Sequence, residues 1–129
     1  MIRTRHFIFF TLFYLTALIA FGQKEVKTYY DVEENQVKEV FEVKGDGTRT
    51  GEYIKYHFDG AIIIQGKYRK GQKTGTWNYY HSNGVRSAVG DYEKDTLNGR
   101  WVYYHRNGQK SSEGDFANGI KNGKWISYN

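Results

Sequence analysis

Three histidines recur at a fixed interval of 24 residues, at His57, His81 and His105. Imidazole is a common metal ligand and a general base near neutral pH, so this trio is the first candidate for chemistry. Equivalent positions in successive β-hairpins, however, lie two strands apart, about 9.5 to 10 Å. Metal ligands must lie about 2.1 Å from one ion. Unless the sheet folds back on itself, these histidines cannot share a metal, and we interpret them as strand-end residues that lead into turns.

Other residue types that could support catalysis also lack a suitable setting. The serines do not follow the strand-to-helix turn of a hydrolase nucleophile, and no glycine-rich segment opens a helix as a phosphate-binding loop does. The sequence contains no cysteine, which excludes thiolate nucleophiles and thiolate metal ligands. We therefore predict a protein that is not an enzyme, with no catalytic residues, no metal site and no cofactor.

The interval of 24 residues organises most of the chain. An aromatic residue lies two positions after each of four glycines, in the pairs Gly51 and Tyr53, Gly75 and Trp77, Gly99 and Trp101, and Gly123 and Trp125. All three tryptophans of the protein therefore occupy one position of the repeat. A second set of glycines follows the same interval, at Gly66, Gly90 and Gly114. Such self-similarity predicts that each repeat adopts the same backbone and packs in the same way.

Each repeat contains two segments rich in aromatic and β-branched residues. A pair such as Asn83-Gly84 lies near their junction and favours a two-residue type I′ turn, the strongest short-range signal for a hairpin. The second junction, for example EKDTLNG, is longer and polar. Proline is absent, so no strand loses a backbone donor. We predict an all-β fold, an elongated antiparallel meander of stacked β-hairpins in a single twisted sheet.

A two-residue turn at Asn83-Gly84 would place Trp77 directly opposite Gly90. A three-residue loop with a glycine bulge would shift this pairing by one residue. We expect the Trp77 ring to cover Gly90, since a large ring shields the backbone that glycine leaves bare. The same arithmetic pairs Trp101 with Gly114 and predicts structural roles for Trp77, Trp101, Trp125, Gly66, Gly90 and Gly114. Because Tyr80 lies three residues after Trp77, either the strand bulges between them or both faces carry aromatic residues.

The two ends of the repeat region differ from its centre. Residues 23–50 fit the interval poorly but still indicate two strands around a polar turn at residues 33–35. We interpret this segment as a degenerate capping repeat and residues 51–129 as the repeat domain. The strand around Trp125 is expected to be an open edge that could pair with a second chain.

The first 22 residues have the features of an export signal. A short basic head precedes an apolar run over residues 7–21, and small residues follow at Ala20 and Gly22. This pattern predicts a signal peptide over residues 1–22, cut between Gly22 and Gln23, and therefore a periplasmic or secreted protein. The alternative is an uncleaved membrane anchor, since about 20 apolar residues span a bilayer.

Two groups of side chains are candidates for a binding surface. Removing Arg3 and Arg5 leaves 17 basic and 14 acidic residues, a net charge of +3 that we attribute mainly to solvation of the sheet. The densest basic cluster comprises Lys67, Arg69, Lys70 and Lys73, near Lys94. The position two residues after the repeat aromatic varies between copies, which marks Tyr79 and Tyr103 as candidates to face a partner.

The pattern GxWxxYxxxG followed by GxYxxGxxxG resembles the MORN repeat, in the variant form found in many small bacterial proteins. Residues 51–128 carry this pattern, and residues 27–50 match it loosely. The resemblance implies a twisted sheet of stacked hairpins that contacts protein or lipid rather than performing catalysis. Some bacterial members are named as antitoxin components of toxin–antitoxin systems. Typical antitoxins act in the cytoplasm, so the predicted export signal favours an immunity-type protein that neutralises a toxin elsewhere.

Two binding functions remain open from the sequence. The first is a protein-interaction module, with a toxin as one conceivable partner. The second is a cell-envelope module that recognises glycan through its aromatic rings, or anionic lipid or polymer through its basic residues. Nucleic acid is not expected as a partner of an exported protein, although aromatic and basic residues alternate along the chain.

Overall fold

The computed structural model describes residues 22–129, so the predicted signal peptide lies outside the described residues except for Gly22. Nine strands follow one another: β1 (Lys24–Tyr29), β2 (Val37–Val43), β3 (Arg49–Tyr56), β4 (Ile62–Arg69), β5 (Gln72–Tyr80), β6 (Arg86–Glu93), β7 (Thr96–Tyr104), β8 (Lys110–Ala117) and β9 (Ile120–Ser127). They form one antiparallel sheet in which the spatial order is the sequence order. The predicted all-β meander of hairpins is confirmed. Residues 22–129 contain no helix that could cross a membrane.

Strands β1 and β2 flank a turn over residues 30–36, which confirms the two strands predicted for the capping segment. The Asp31 carboxylate holds this turn by accepting backbone N–H groups from Glu33 and Asn35, each at 3.0 Å. Strand β3 begins at Arg49, two residues before the predicted start of the repeat domain. The capping segment therefore continues into the same sheet as the repeats.

The Asn-Gly turn is wider than the sequence suggests. The Gly84 N–H donates to the His81 carbonyl at 2.9 Å, and the His81 N–H donates to the Val85 carbonyl at 2.8 Å. Gly84 has a φ of 82°, whereas Asn83 is not in the positive-φ region that a type I′ turn requires of both central residues. The predicted two-residue turn is therefore wrong, and a three-residue loop stands in its place. The Asn83 side chain accepts the Val85 N–H at 3.1 Å and stabilises this loop.

The second junction of each repeat is the tight turn. Glu93 pairs with Thr96, and the two residues between them, Lys94 and Asp95, have φ values of 49° and 65°. This is the conformation of a two-residue type I′ turn. Lys70-Gly71 and Asn118-Gly119 form turns of the same kind. The longer polar junction that the sequence suggests is thus mostly strand.

The predicted pairing of tryptophan with glycine is confirmed, because two irregularities cancel. Trp77 is the register partner of Gly90, and Trp101 is that of Gly114. The three-residue loop shifts the pairing by one residue. A bulge then shifts it back, because Tyr79 pairs with Ala88 whereas Tyr80 pairs with Arg86. Tyr79 thus stays on the face of Trp77, and strand alternation places Tyr80 on the opposite face.

Each indole nevertheless covers a different glycine from its register partner. A Cβ atom at Gly66 would overlap the ring of Trp77, and one at Gly90 would overlap the ring of Trp101. The prediction that Trp77 covers Gly90 is therefore wrong. The reason lies between β4 and β5, where residues 75–77 oppose Gly66 alone. This bulge tilts the indole towards the preceding strand, and the same arrangement places Trp125 over Gly114.

The rings form a continuous layer on one side of the sheet, which we call the aromatic face. Its principal members are Tyr53, Tyr68, Trp77, Tyr92, Trp101, Phe116 and Trp125. Tyr92 contacts Trp101 edge-to-face, with ring centroids 5.3 Å apart, and Phe116 contacts Trp125 in the same way at 5.1 Å. Trp77 and Trp101 are only 1% and 2% exposed. Because these contacts link every repeat to the next, the ring layer serves as the core of the sheet.

Candidate functional site

The two tyrosines predicted to face a partner lie on the aromatic face, one on each side of β6. Tyr79 pairs with Ala88, and Ala88 pairs in turn with Tyr103 on the next strand. Both tyrosine rings have their centroids 6.2 Å from that of Trp101. Together they border an open depression of about 450 Å³, the aromatic depression, which is lined by Tyr79, Ser87, Ala88, Tyr92, Leu97, Trp101 and Tyr103.

Leu97 gives the aromatic depression its apolar character. At the equivalent position of the flanking repeats a lysine covers the rings, with Lys73 Nζ 4.6 Å from the Trp77 centroid and Lys121 Nζ 4.2 Å from that of Trp125. Such cation–π contacts place a charge above the indole. In β7 a branched aliphatic side chain occupies this position instead, so the surface around Trp101 carries no cation there.

Ala88 provides the floor of the depression. The equivalent residues of the flanking repeats are Ile64 and Ser112, and Ala88 itself is 8% exposed. Its small side chain leaves the facing sides of Tyr79 and Tyr103 open between β5 and β7. The depression thus depends on four residues at three variable positions of the repeat, and sequence reasoning identified only the two tyrosines. The break in the series Arg49, Lys73, Leu97, Lys121 was the signal that could have identified Leu97.

The hydroxyls of Tyr79 and Tyr103 are neutral. The Tyr79 and Tyr92 hydroxyl oxygens are hydrogen-bonded at 3.0 Å. Burial, and then this hydrogen bond, raise the pKa of Tyr79 above its ordinary value, and burial likewise raises the pKa of Tyr103. Both side chains therefore remain protonated at physiological pH. The arrangement is suited to contact with an apolar or aromatic group and offers no general base.

The predicted basic cluster does not form one surface. Lys67 pairs with Glu52 at 3.1 Å, and Lys73 lies over the rings of the aromatic face. Arg69 and Lys70 lie at the tight turn between β4 and β5. Arg69, Lys70 and Lys73 still line one groove, whereas Lys67 is outside it.

The histidines occupy the turns to which the sequence assigns them. The His81 ring nitrogen Nε2 lies 2.9 Å from the Tyr104 carbonyl oxygen, so this imidazole links one hairpin to the next. Within residues 22–129 no three His, Asp or Glu side chains are grouped so that they could hold a metal ion. His81 therefore has a structural role at its turn.

A scan of the chain against protein-family models finds no match, and a search of curated proteins likewise finds none. The resemblance to the MORN repeat rests on the repeat pattern of the sequence.

Proposed function

We propose that this protein is an exported, non-enzymatic repeat protein that acts as a protein-interaction module and contacts its partner through the aromatic depression. The observation that carries the proposal is the placement of Tyr79 and Tyr103 on either side of Ala88, above Trp101. Tyrosine and tryptophan are enriched at protein interfaces and among the residues that dominate binding energy. Their rings are held by a rigid sheet, which reduces the entropy lost on binding.

The lining of the depression favours an apolar protein side chain over a sugar. A sugar would stack on an exposed ring and pair its hydroxyls with polar groups, whereas Trp101 is only 2% exposed and Ser87 is the one lining residue besides the tyrosines with a side-chain hydroxyl. The Tyr79 and Tyr92 hydroxyls already bond to each other. An aliphatic or aromatic side chain could bury apolar area between the two open tyrosines without leaving its own polar groups unpaired.

The narrower form of this proposal is an antitoxin or immunity-like role. Two sequence features support it, namely the resemblance to MORN-variant proteins and the export signal predicted over residues 1–22. A toxin encountered outside the cytoplasm would then be the partner that the depression binds. The toxin would be recognised by an apolar side chain on its surface.

Capture of the partner tests the proposal. Full-length protein produced in its source cells and recovered from the envelope fraction is expected to carry a second protein in a stoichiometric amount. The double variant Tyr79→Lys with Tyr103→Ser uses residues that the chain itself carries at positions 55 and 127. We expect it to weaken partner binding by about tenfold or more, because loss of a central aromatic residue typically costs over 1 kcal/mol.

The matched control is the variant Tyr80→Ala with Tyr104→Ala, which removes two tyrosines that strand alternation places on the opposite face. Partner affinity should be unchanged in this control. Retention of the protein on purified cell wall or on lipid vesicles, with no protein partner, would contradict the proposal. So would equal losses of affinity in the two double variants.

A further inference from the structure

A second surface lies at the strand ends that the tight turns connect. The turns at Lys70-Gly71 and Lys94-Asp95 are neighbours on this side of the molecule, and a groove of about 310 Å³ separates them. Four basic side chains and one acidic side chain line it, namely Arg69, Lys70, Lys73, Lys94 and Glu93. We call this the cationic groove. It shares no lining residue with the aromatic depression.

The fold builds the same groove again one repeat later, with a different charge. This second groove, of about 250 Å³, lies between the turns at Lys94-Asp95 and Asn118-Gly119. In the next repeat, Glu93 is equivalent to Arg69, Leu97 to Lys73 and Asn118 to Lys94. One basic and one acidic side chain, Lys94 and Glu93, line the second groove, so we call it the neutral groove.

Comparison of the two grooves shows that the turn conformation does not require the basic side chains. Asn118 and Lys94 adopt φ values of 51° and 49°, close to the 51° of Lys70, so this turn forms with or without a cation. Several like charges in one groove repel one another and disfavour the folded state. None of the four basic side chains forms an ion pair within 4.0 Å of an acidic side chain in residues 22–129. Within the described residues, the Glu93 carboxylate in the lining and the rings beneath Lys73 offset only part of this positive charge.

The groove also contains neutral donors suited to oxyanions. The Gln72 amide and the Thr74 hydroxyl lie among the basic side chains. The nearby Asp95 carboxylate accepts the Lys73 backbone N–H at 2.6 Å and is thus engaged by the turn. A guanidinium, ammonium groups, an amide and a hydroxyl together match the charge and the several acceptor oxygens of phosphate.

We propose that the cationic groove is a binding site for a multiply charged phosphate group. The site goes beyond the protein-interaction function and has its own lining residues, with one contact between the two surfaces where Lys73 Nζ lies 4.7 Å from the Tyr92 ring centroid. A phosphate in the groove would be held by Arg69 and Lys70 from one turn and Lys94 from the next, with Lys73 at its base. The group could belong to a soluble phosphate compound or to a lipid headgroup.

Titration of the full chain with tripolyphosphate tests the site. The variant Arg69→Ala with Lys70→Asn introduces the residues that the chain carries at 117 and 118, so the turn should be retained. We expect its affinity to fall by about thirtyfold, because each basic residue contributes roughly fivefold to binding at an anionic phosphate surface. Amide resonances of Gln72 and Thr74 should shift on addition of tripolyphosphate, and those of Thr96 and Asn98 in the neutral groove should not.

The control variant Arg86→Gln with Arg106→Gln removes the same net charge at the opposite ends of the strands, near the three-residue loops. Its affinity for tripolyphosphate should equal that of the unaltered protein. Equal losses in the two variants, or no binding by the unaltered protein, would overturn the proposal, since the groove would then be ordinary surface charge. Partner capture through the aromatic depression should be unaffected by Arg69→Ala with Lys70→Asn, which separates this test from that of the proposed function.

Vesicles distinguish the two sources of phosphate. Phosphatidylcholine vesicles with and without about one-third phosphatidic acid present the phosphate as a headgroup, at a fraction chosen to give a strongly anionic surface. Binding to the acidic vesicles that is lost in Arg69→Ala with Lys70→Asn supports the site with a lipid as its source. Binding of tripolyphosphate alone, with the same dependence, supports the site with a soluble phosphate compound as its source.

Discussion

At the scale of single residues, each tryptophan is matched to a glycine in the preceding strand. Trp101 lies over Gly90, and its indole N–H donates to the Asp91 carbonyl at 3.1 Å. Trp125 repeats both features with Gly114 and Asp115, where the N–H donates at 3.2 Å. The indole thus buries its ring and satisfies its one donor in the same contact. Replacement of either partner removes a link between two hairpins rather than within one.

Trp101→Ala should destabilise the protein by about 3 to 5 kcal/mol, the usual cost of truncating a buried large aromatic side chain. The ring is 2% exposed and contacts Tyr79 and Tyr92 of the preceding hairpin. Chemical denaturation followed by tryptophan fluorescence and circular dichroism would measure this change. Trp125→Ala provides the comparison and should cost less, because that ring is in the last strand of the sheet and is only partly buried. Loss of partner binding by Trp101→Ala with an unaltered unfolding curve would show that the ring belongs to the binding surface instead.

At the scale of strands and turns, the repeat combines two bulges with two kinds of turn. A glycine with positive φ, such as Gly99 at 69°, lies inside the strand rather than at its end. There the backbone can bend so that the following tryptophan leans over the preceding strand. The sequence pair Asn-Gly therefore has three structural meanings in this chain: a three-residue loop at 83–84, a strand bulge at 98–99 and a type I′ turn at 118–119.

Gly99→Ala should destabilise the protein by about 1 to 2 kcal/mol, the cost of placing an L-residue in the left-handed region. A Cβ atom at Gly99 would meet no heavy atom within 4 Å, so the cost arises from the backbone alone. Gly99→Asn should recover part of the loss, since asparagine tolerates positive φ. Gly90→Ala should cost more than Gly99→Ala, because its Cβ would overlap the Trp101 ring. Urea unfolding of the three variants tests this order, and equal costs for Gly90→Ala and Gly99→Ala would contradict it.

At the scale of the whole molecule, every described strand pairs with its neighbours in sequence order, and ring contacts reach one strand further. The unfolding free energy is then approximately the sum of a contribution from each repeat and a contribution from each interface between neighbouring repeats, as in other repeat proteins. The aromatic depression and the cationic groove arise from differences between repeats. Leu97 replaces a lysine at the depression, and Arg69 occupies the position that Glu93 occupies in the next repeat. A single scaffold thus presents different chemistry at each repeat without changing its backbone.

Deletion of residues 75–98, which is one full repeat, should leave a folded sheet because Gly99 then follows Thr74 in place of Gly75. The dependence of unfolding free energy on urea should fall roughly in proportion to the surface removed. Deletion of residues 75–86, half of that repeat, should abolish cooperative unfolding, since it removes most of one strand and reverses the direction of the next. Circular dichroism and urea titration of both variants would test this, and an unfolded full-repeat deletion would contradict the additive picture.

The repeat interval, the all-β architecture and the pairing of Trp77 with Gly90 could all be predicted from the sequence, because residue types and their spacing encode strands and hairpins locally. The same reasoning placed Tyr79 and Tyr103 among the candidate binding residues. It located both junctions but favoured the wrong loop length for each, since Asn-Gly is compatible with several positive-φ geometries whose choice depends on the strands around them.

The tertiary structure alone decided which glycine each indole covers and which side chains meet across strands. The Trp77 ring leans over Gly66 because a bulge at residues 75–77 interrupts the register that the Lys70-Gly71 turn sets between β4 and β5. Leu97 lines one depression with Tyr79 and Tyr103, and Arg69 lines one groove with Lys94, because the meander brings residues about one repeat apart onto the same side of the sheet. Local pattern thus determined the repeating sheet, and the bulged pairing between strands determined which glycine each indole covers.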